Sequence, residues 1–228
     1  MRQLHPVSFH ERFVASGTYV FSQDDTPTGD VEHWTLHEPG KGALTVRADY
    51  DGRAGTGVHW LFEGLYNRAL RRFERFDLSL YGTQHTDAKF IFGPGEVQIS
   101  LRIDGSARDR LDIPLPDGAI VRAPALVADG LALGADNQTA PSFVPTLDLS
   151  AGLVQGGRIE VTTVTQQNND MLTVDGREIE ARIYRVQGDR AGDYTCWLDR
   201  HDILLRRRWP SGLTAQLSQY VHRPETTT

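Results

Sequence analysis

Apolar and polar residues alternate with a period of two along most of this chain. Val97, Ile99, Leu101 and Ile103 interleave with Gln98, Ser100 and Arg102. Ile159, Val161 and Thr163 repeat the pattern, as do Ile179, Ala181 and Ile183, and Leu213, Ala215, Leu217 and Val221 close it. Successive strand residues point to opposite faces, so this rhythm predicts antiparallel strands with one face on a core. Turn signals separate the runs: Asp-Gly at 51–52, 104–105, 117–118, 129–130 and 175–176, and Pro-Gly at 39–40 and 94–95. Asp-Gly favours hairpin turns because both central residues tolerate positive φ.

One segment departs from the rhythm. "RAPALVADGLALGAD", Arg122 to Asp136, is rich in Ala and Leu. Pro124 suits a first helical turn, and Gly130 and Gly134 limit any helix to a short one. One or two helical turns, or an apolar loop, are expected there. A connection anchored by Phe143, Val144 and Leu147 should follow. No repeat or polar linker divides the chain, so residues 1–222 are expected to form a single β-rich domain. Residues 223–228, "RPETTT", read as a disordered tail.

The 228 residues are 39% hydrophobic, enough for a core without metal or disulfide staples. The single cysteine, Cys196, excludes an internal disulfide and fits a reducing compartment; it reads as a small core residue. The N-terminus lacks the apolar stretch of a secretory signal, and no window is long and apolar enough to span a membrane. A soluble, cytoplasmic protein is therefore expected, without stable membrane insertion. A formal net charge of −6 argues against nucleic-acid binding, which calls for a basic face. Lys41 and Lys89 stand against 22 arginines, a bias that arginine codons in a GC-rich genome explain more simply than anion binding does.

The candidate chemical motifs resolve mostly into structure. "VEHWTLHE" spaces His33 and His37 four apart, as zinc ligands are on a helix. Trp34 and Leu36 alternate with them, so the segment reads as a strand, on which that spacing is about 13 Å, too wide for one ion. Both histidines are expected on a solvated face. The glycines of "RADYDGRAGTGVHWLF" lack the Lys-Ser/Thr ending of a phosphate loop and read as a hairpin turn into a strand Val58–Phe62. "NRALRRFERFDLSLYG" reads as a strand carrying Phe76, Leu78 and Leu80, with Arg71, Arg72, Glu74 and Arg75 as a solvated ion network at its start. Asn137 begins a glycosylation sequon that needs a secretory signal, and "TQQNND" from Thr165 reads as an exposed turn. No lipase-type elbow, zinc-finger spacing or dinucleotide fingerprint occurs, so neither cofactor nor metal is predicted.

"CWLDRHDILLRRRWPSG" is the densest cluster of candidate chemistry. Asp199, His201 and Asp202 fall between two strand patterns, where a polar turn is expected; a catalytic relay needs its partners to converge on a nucleophile. Arg207 is the anomaly. Alternation sends it inward with Ile203, Leu205 and Trp209, unless it sits at the sheet rim or a bulge turns it out. An inward guanidinium needs a partner, since an unpaired buried charge costs several kcal/mol. That partner is either a protein carboxylate or the acidic head of a ligand.

The stretch "DGREIEARIYRVQGDRAGDYTCWLDRHDILLRRRWPSGLTAQLSQYV" resembles the closing strands of a bacterial family of unknown function, whose structures look like periplasmic lipoprotein carriers of the LolA/LppX type. "LDIPLPDGAIVRAPALVADGLAL" and "FVPTLDL" are similar to that family's helix and crossover. The resemblance covers roughly the C-terminal half. It implies a strongly curved antiparallel sheet rolled into an incomplete β-barrel around an apolar interior, with Pro124–Leu133 as a lid-like element. Trp60, Phe62, Phe90, Phe92, Trp197 and Trp209 would line the interior where they face inward, and Arg207 would meet an acidic head group. The carriers of that type are exported and some hold a disulfide; this chain shows neither feature.

The function expected on this basis is binding or carriage of a lipid, glycolipid or other apolar small molecule. One alternative is an isomerase, cyclase or hydratase in the same cavity, drawing on residues such as His59, Glu74 and Tyr184. Another is a scaffold with a filled core and an apolar surface patch. Oligomeric state is not legible.

Overall fold

Most of the hairpin punctuation folds as it reads. A computed structural model describes residues 1–134, 138–188 and 192–223. An antiparallel meander runs through β1 (Arg12–Gln23), β2 (Thr26–Glu38), β3 (Ala43–Gly52), β4 (Val58–Asn67), β5 (Arg72–Tyr81), β6 (His85–Phe92), β7 (Glu96–Ile103) and β8 (Ser106–Pro114). The two-residue β9 (Ile120–Val121) and helix α1 (Leu126–Leu133) follow. A second meander comprises β10 (Gln138–Asp148), β11 (Leu153–Val174), β12 (Arg177–Gly188), β13 (Tyr194–Leu198), β14 (Leu204–Arg208) and β15 (Leu213–His222). Asp104-Gly105 and Asp175-Gly176 turn their hairpins with both residues at positive φ, as a type I′ turn requires.

Pairing of β1 with β15 joins the meanders into one 15-stranded sheet whose edges are β8 and β9. All neighbours are antiparallel except the short β9–β10 pair. The sheet curls without closing into a barrel. Its two halves meet where the β10–β11 turn lies on the β5–β6 turn: the Gln84 amide donates to the Ala151 carbonyl (3.0 Å) and the Thr86 hydroxyl to that of Gly152 (3.0 Å). Gly152 has φ +72, and a Cβ there would lie 2.5 Å from the Gln84 carbonyl oxygen, so only glycine fits this seam.

Four local expectations are corrected. The "TQQNND" segment from Thr165, expected as an exposed turn, is exposed but runs within strand β11. Asp129-Gly130 is not a turn but lies inside α1, and all eight residues of that helix are buried. The segment is therefore the expected short helix, buried and packed against β14 and β9. β11 runs in the opposite phase from its apolar pattern. It buries Glu160, Thr162 and Val164, while Val161 is 49% exposed. The cause is that β11 also packs against strands of the first meander, so both its faces are partly covered. His37 is buried rather than solvated. Residues 1–11 cross the outer face of β3 and β4, anchored by Arg2–Asp49 (2.6 Å), His5–Glu63 (3.2 Å) and Glu11–Arg47 (2.6 Å), and His37 lies beneath this cover beside Phe13 and Arg47. The expected tail begins at Arg223, whose amide still bonds the Val14 carbonyl (2.9 Å); residues 224–228 and Asn137 lie outside the described residues.

Candidate ligand-binding site

Arg207 enters the interior, and its partner is a protein carboxylate. β14 bulges where Leu198 pairs with Leu204 and Trp197 with Arg206, yet Leu205 and Arg207 are both buried. The Arg207 guanidinium meets Asp129 of α1, which also takes Arg122 Nη2 (2.8 Å), Arg122 Nε and the Tyr194 hydroxyl (3.1 Å). Burial alone would raise the Asp129 carboxyl, but Arg122 and Arg207 outweigh it and hold the group below its usual range. Two cations against one anion leave an excess of positive charge. The rings of Tyr194 (4.3 Å) and Trp209 (5.3 Å) lie under Arg207 and accommodate it.

The start of α1 is held by another inward carboxylate. No side chain of the helix's own N-cap bonds its free amides. Glu32, inward on β2, accepts the Leu126 N–H at 2.8 Å, supplying what an N-cap would. Burial pushes the Glu32 carboxyl up to about 8. Sequence reasoning missed Glu32, Arg122 and Asp129. Glu32 was detectable, being in phase with Trp34 and Leu36, whereas nothing in the sequence marks Asp129 as the partner of Arg207.

The turn at Asp199–Asp202 is structural. Asp199 accepts the amides of His201 (2.8 Å) and Ile203 (2.9 Å) and the Tyr220 hydroxyl (2.8 Å), so both its oxygens are engaged in fixing the turn. Asp202 bridges Arg182 (2.6 Å) and Arg71 (3.0 Å). Arg71 thus reaches across to the second meander and does not belong to a local network on β5.

This turn projects into the open end of the curled sheet and borders two cavities. The first, about 270 Å³, has an apolar floor that includes Phe13, Leu36, Leu44, Tyr66, Leu131 and Ile203. Its rim carries Arg12, Arg68, Arg71 and Arg223, with Asp202 as the one acid among the described residues. Arg12 pairs with Glu38 (Nε, 2.9 Å) and Arg71 with Asp202. Among the described residues no carboxylate pairs with Arg68 or Arg223. The second cavity, about 480 Å³, includes Ile179, Arg182 and Tyr220 in its lining. His201 and His222 line both, stacked at 4.4 Å and 13°.

The aromatics expected as lining fall in four places. Trp60 stacks on Tyr50 at 5.3 Å. Phe62, Phe90 and Phe92 face inward but contact one another through Phe76 and Phe143, with centroid distances of 4.4–5.9 Å, so they fill space rather than border the mouth. Trp197 lies on the face opposite Cys196, under Arg206 (5.6 Å). Trp209 borders a third cavity at the far end of β14.

The residues named for catalysis do not converge. His59 stacks on Tyr81 at 4.5 Å, Glu74 bonds the exposed Asn67 amide, and Tyr184 is buried in the interior. Among the described residues no cluster of three or more His, Cys, Asp or Glu can hold a metal, and no helix is long and apolar enough to cross a membrane. Comparison of the chain with protein-family models, curated proteins and solved structures finds no match.

Proposed function

We propose that this protein binds a small amphipathic anion at the open end of the sheet, with its apolar body on the Leu36–Leu44–Tyr66–Leu131 floor and its acidic head among the rim arginines. The observation that carries the reading is the set of four arginines around one apolar cavity in a chain of net charge −6. Two of them, Arg68 and Arg223, have no carboxylate partner among the described residues. Guanidinium groups bind carboxylate or phosphate through paired, charge-assisted hydrogen bonds. A volume near 270 Å³ lies just below the usual range of ligand sites, about 300–1,000 Å³, and suits one short chain better than a two-chain lipid.

Calorimetric titration with octanoate, octyl phosphate and octanol tests the reading. The two anions should bind about tenfold or more tighter than the alcohol, a difference of about 1.4 kcal/mol. The double variant Arg68→Met, Arg223→Met should lose that preference while keeping its melting temperature. Equal binding of octanol and octanoate removes the anion site; no binding of any of the three removes the reading as a whole.

A further inference from the structure

The third cavity, about 580 Å³, lies at the opposite end of β14 and β15 from the basic mouth. It is framed by the β1–β2 turn, the β14–β15 turn and the start of β13. The two turns are tied together: the Asp24 amide donates to the Gly212 carbonyl (3.2 Å) and the Gln23 side chain to that of Ser211 (2.6 Å). These two walls are therefore held to each other by one main-chain and one side-chain hydrogen bond.

Two features define what this cavity could hold. The first is its balanced charge. Among the described residues Asp24 and Asp193 stand against Arg185 and Arg208, two acids and two bases, so these groups offer both acceptors and donors in balanced charge. Arg185 already bonds Asp193 (3.3 Å), whereas Arg208 pairs with no carboxylate among the described residues. The second is the half-buried indole of Trp209. Arg207 packs against its ring at 5.3 Å, and Arg207 is itself immobilised by Asp129. The indole thus lines the cavity while Arg207, held by Asp129, packs against it. A ligand matched to this site is neutral, carries many groups that both donate and accept hydrogen bonds, and has one flat C–H face.

Those are the properties of a sugar ring. Its hydroxyls are donors and acceptors at once, and its axial C–H groups pack against an aromatic face. We propose that this cavity is a carbohydrate site, taking a neutral hexose unit with Trp209 as its platform and Asp24, Asp193 and Arg208 bonding its hydroxyls. The site is separate from the basic mouth and does not depend on it.

Saturation-transfer NMR with the full chain and a panel of neutral hexoses, their methyl glycosides and disaccharides tests this assignment. At least one neutral sugar should receive saturation at its ring C–H protons, and glucuronate should receive less. Trp209→Phe should retain part of the signal, Arg208→Gln should weaken binding several-fold, and Arg68→Met at the other end should leave it unchanged. Trp209→Ala should abolish it. Because that variant also removes a ring from beneath Arg207, the exposed Arg208→Gln provides the decision if Trp209→Ala fails to fold. No transfer to any neutral sugar, or binding undiminished in Arg208→Gln, overturns the assignment.

Discussion

Arg207 on β14 bonds Asp129 in α1, 78 positions earlier in the chain, and this pair fixes the only described helix inside the curled sheet. Both side chains are more than nine-tenths buried. Removing one partner strands the other's charge, which typically costs about 3–5 kcal/mol. Asp129→Asn leaves Arg122 and Arg207 as two uncompensated cations, whereas Arg207→Met leaves the Arg122–Asp129 pair intact. Asp129→Asn should therefore be the more destabilising substitution, as measured by urea denaturation at neutral pH. Equal losses would show that the three groups do not act as the geometry indicates.

Glu32 predicts a stability that depends on pH with an unusual sign. Its carboxyl is raised to about 8 in the folded protein from 4.5, so the folded state holds a proton that the unfolded chain releases. Its contribution is fully present below about pH 4.5, declines as pH rises, and is lost above about pH 8. Glu32→Gln keeps an oxygen acceptor for the Leu126 amide and has no proton to lose. The melting temperature of the variant relative to wild type should climb between pH 5 and pH 8. A difference that is flat with pH would count against a protonated Glu32.

At the seam between the sheet's two halves, Gly152→Ala should destabilise by about 1–3 kcal/mol, because it combines positive φ with a clash against backbone. Gly176 also has positive φ (+71) but faces open space. Gly176→Ala should therefore carry only the conformational part, and the smaller loss of melting temperature. Matching effects would mean that the seam contact adds nothing.

Cys196 is fully buried and its thiol is pushed up to about 12, by burial first. A thiol in that state is inert because the thiolate is the reactive form. Reaction with a disulfide reagent should be negligible in native buffer and should follow global unfolding in denaturant. Rapid labelling of the folded protein would contradict this placement.

The strands were legible because hairpin turns and period-two alternation are local signals: Asp104-Gly105, Asp175-Gly176 and the Val97–Ile103 run behave as they read. Alternation also placed Arg207 inward. The sequence was silent where position depends on distant partners. Val161 and Ile159 suggested the wrong buried face for β11 because a strand packed on both sides has no single polar face. His37 looked solvated because its cover comes from residues 1–11. The basic mouth was not legible at all: Arg12, Arg68, Arg71 and Arg223 are scattered through the chain and meet only once β1, the β4–β5 turn and the end of β15 are brought together.

The pairing of β1 with β15 has a kinetic corollary. Each meander can form from neighbouring hairpins, whose loops close rapidly. The link between them joins Ser16 to Val221, almost the full length of the chain, and such distant contacts are slow to form. Two partly ordered halves, each with an unpaired edge at its future centre, should therefore exist before the sheet is complete. Exposed edges of this kind invite pairing with the wrong chain, so yield on refolding should fall as protein concentration rises, and the β1–β15 zipper is the step at which assembly and aggregation compete.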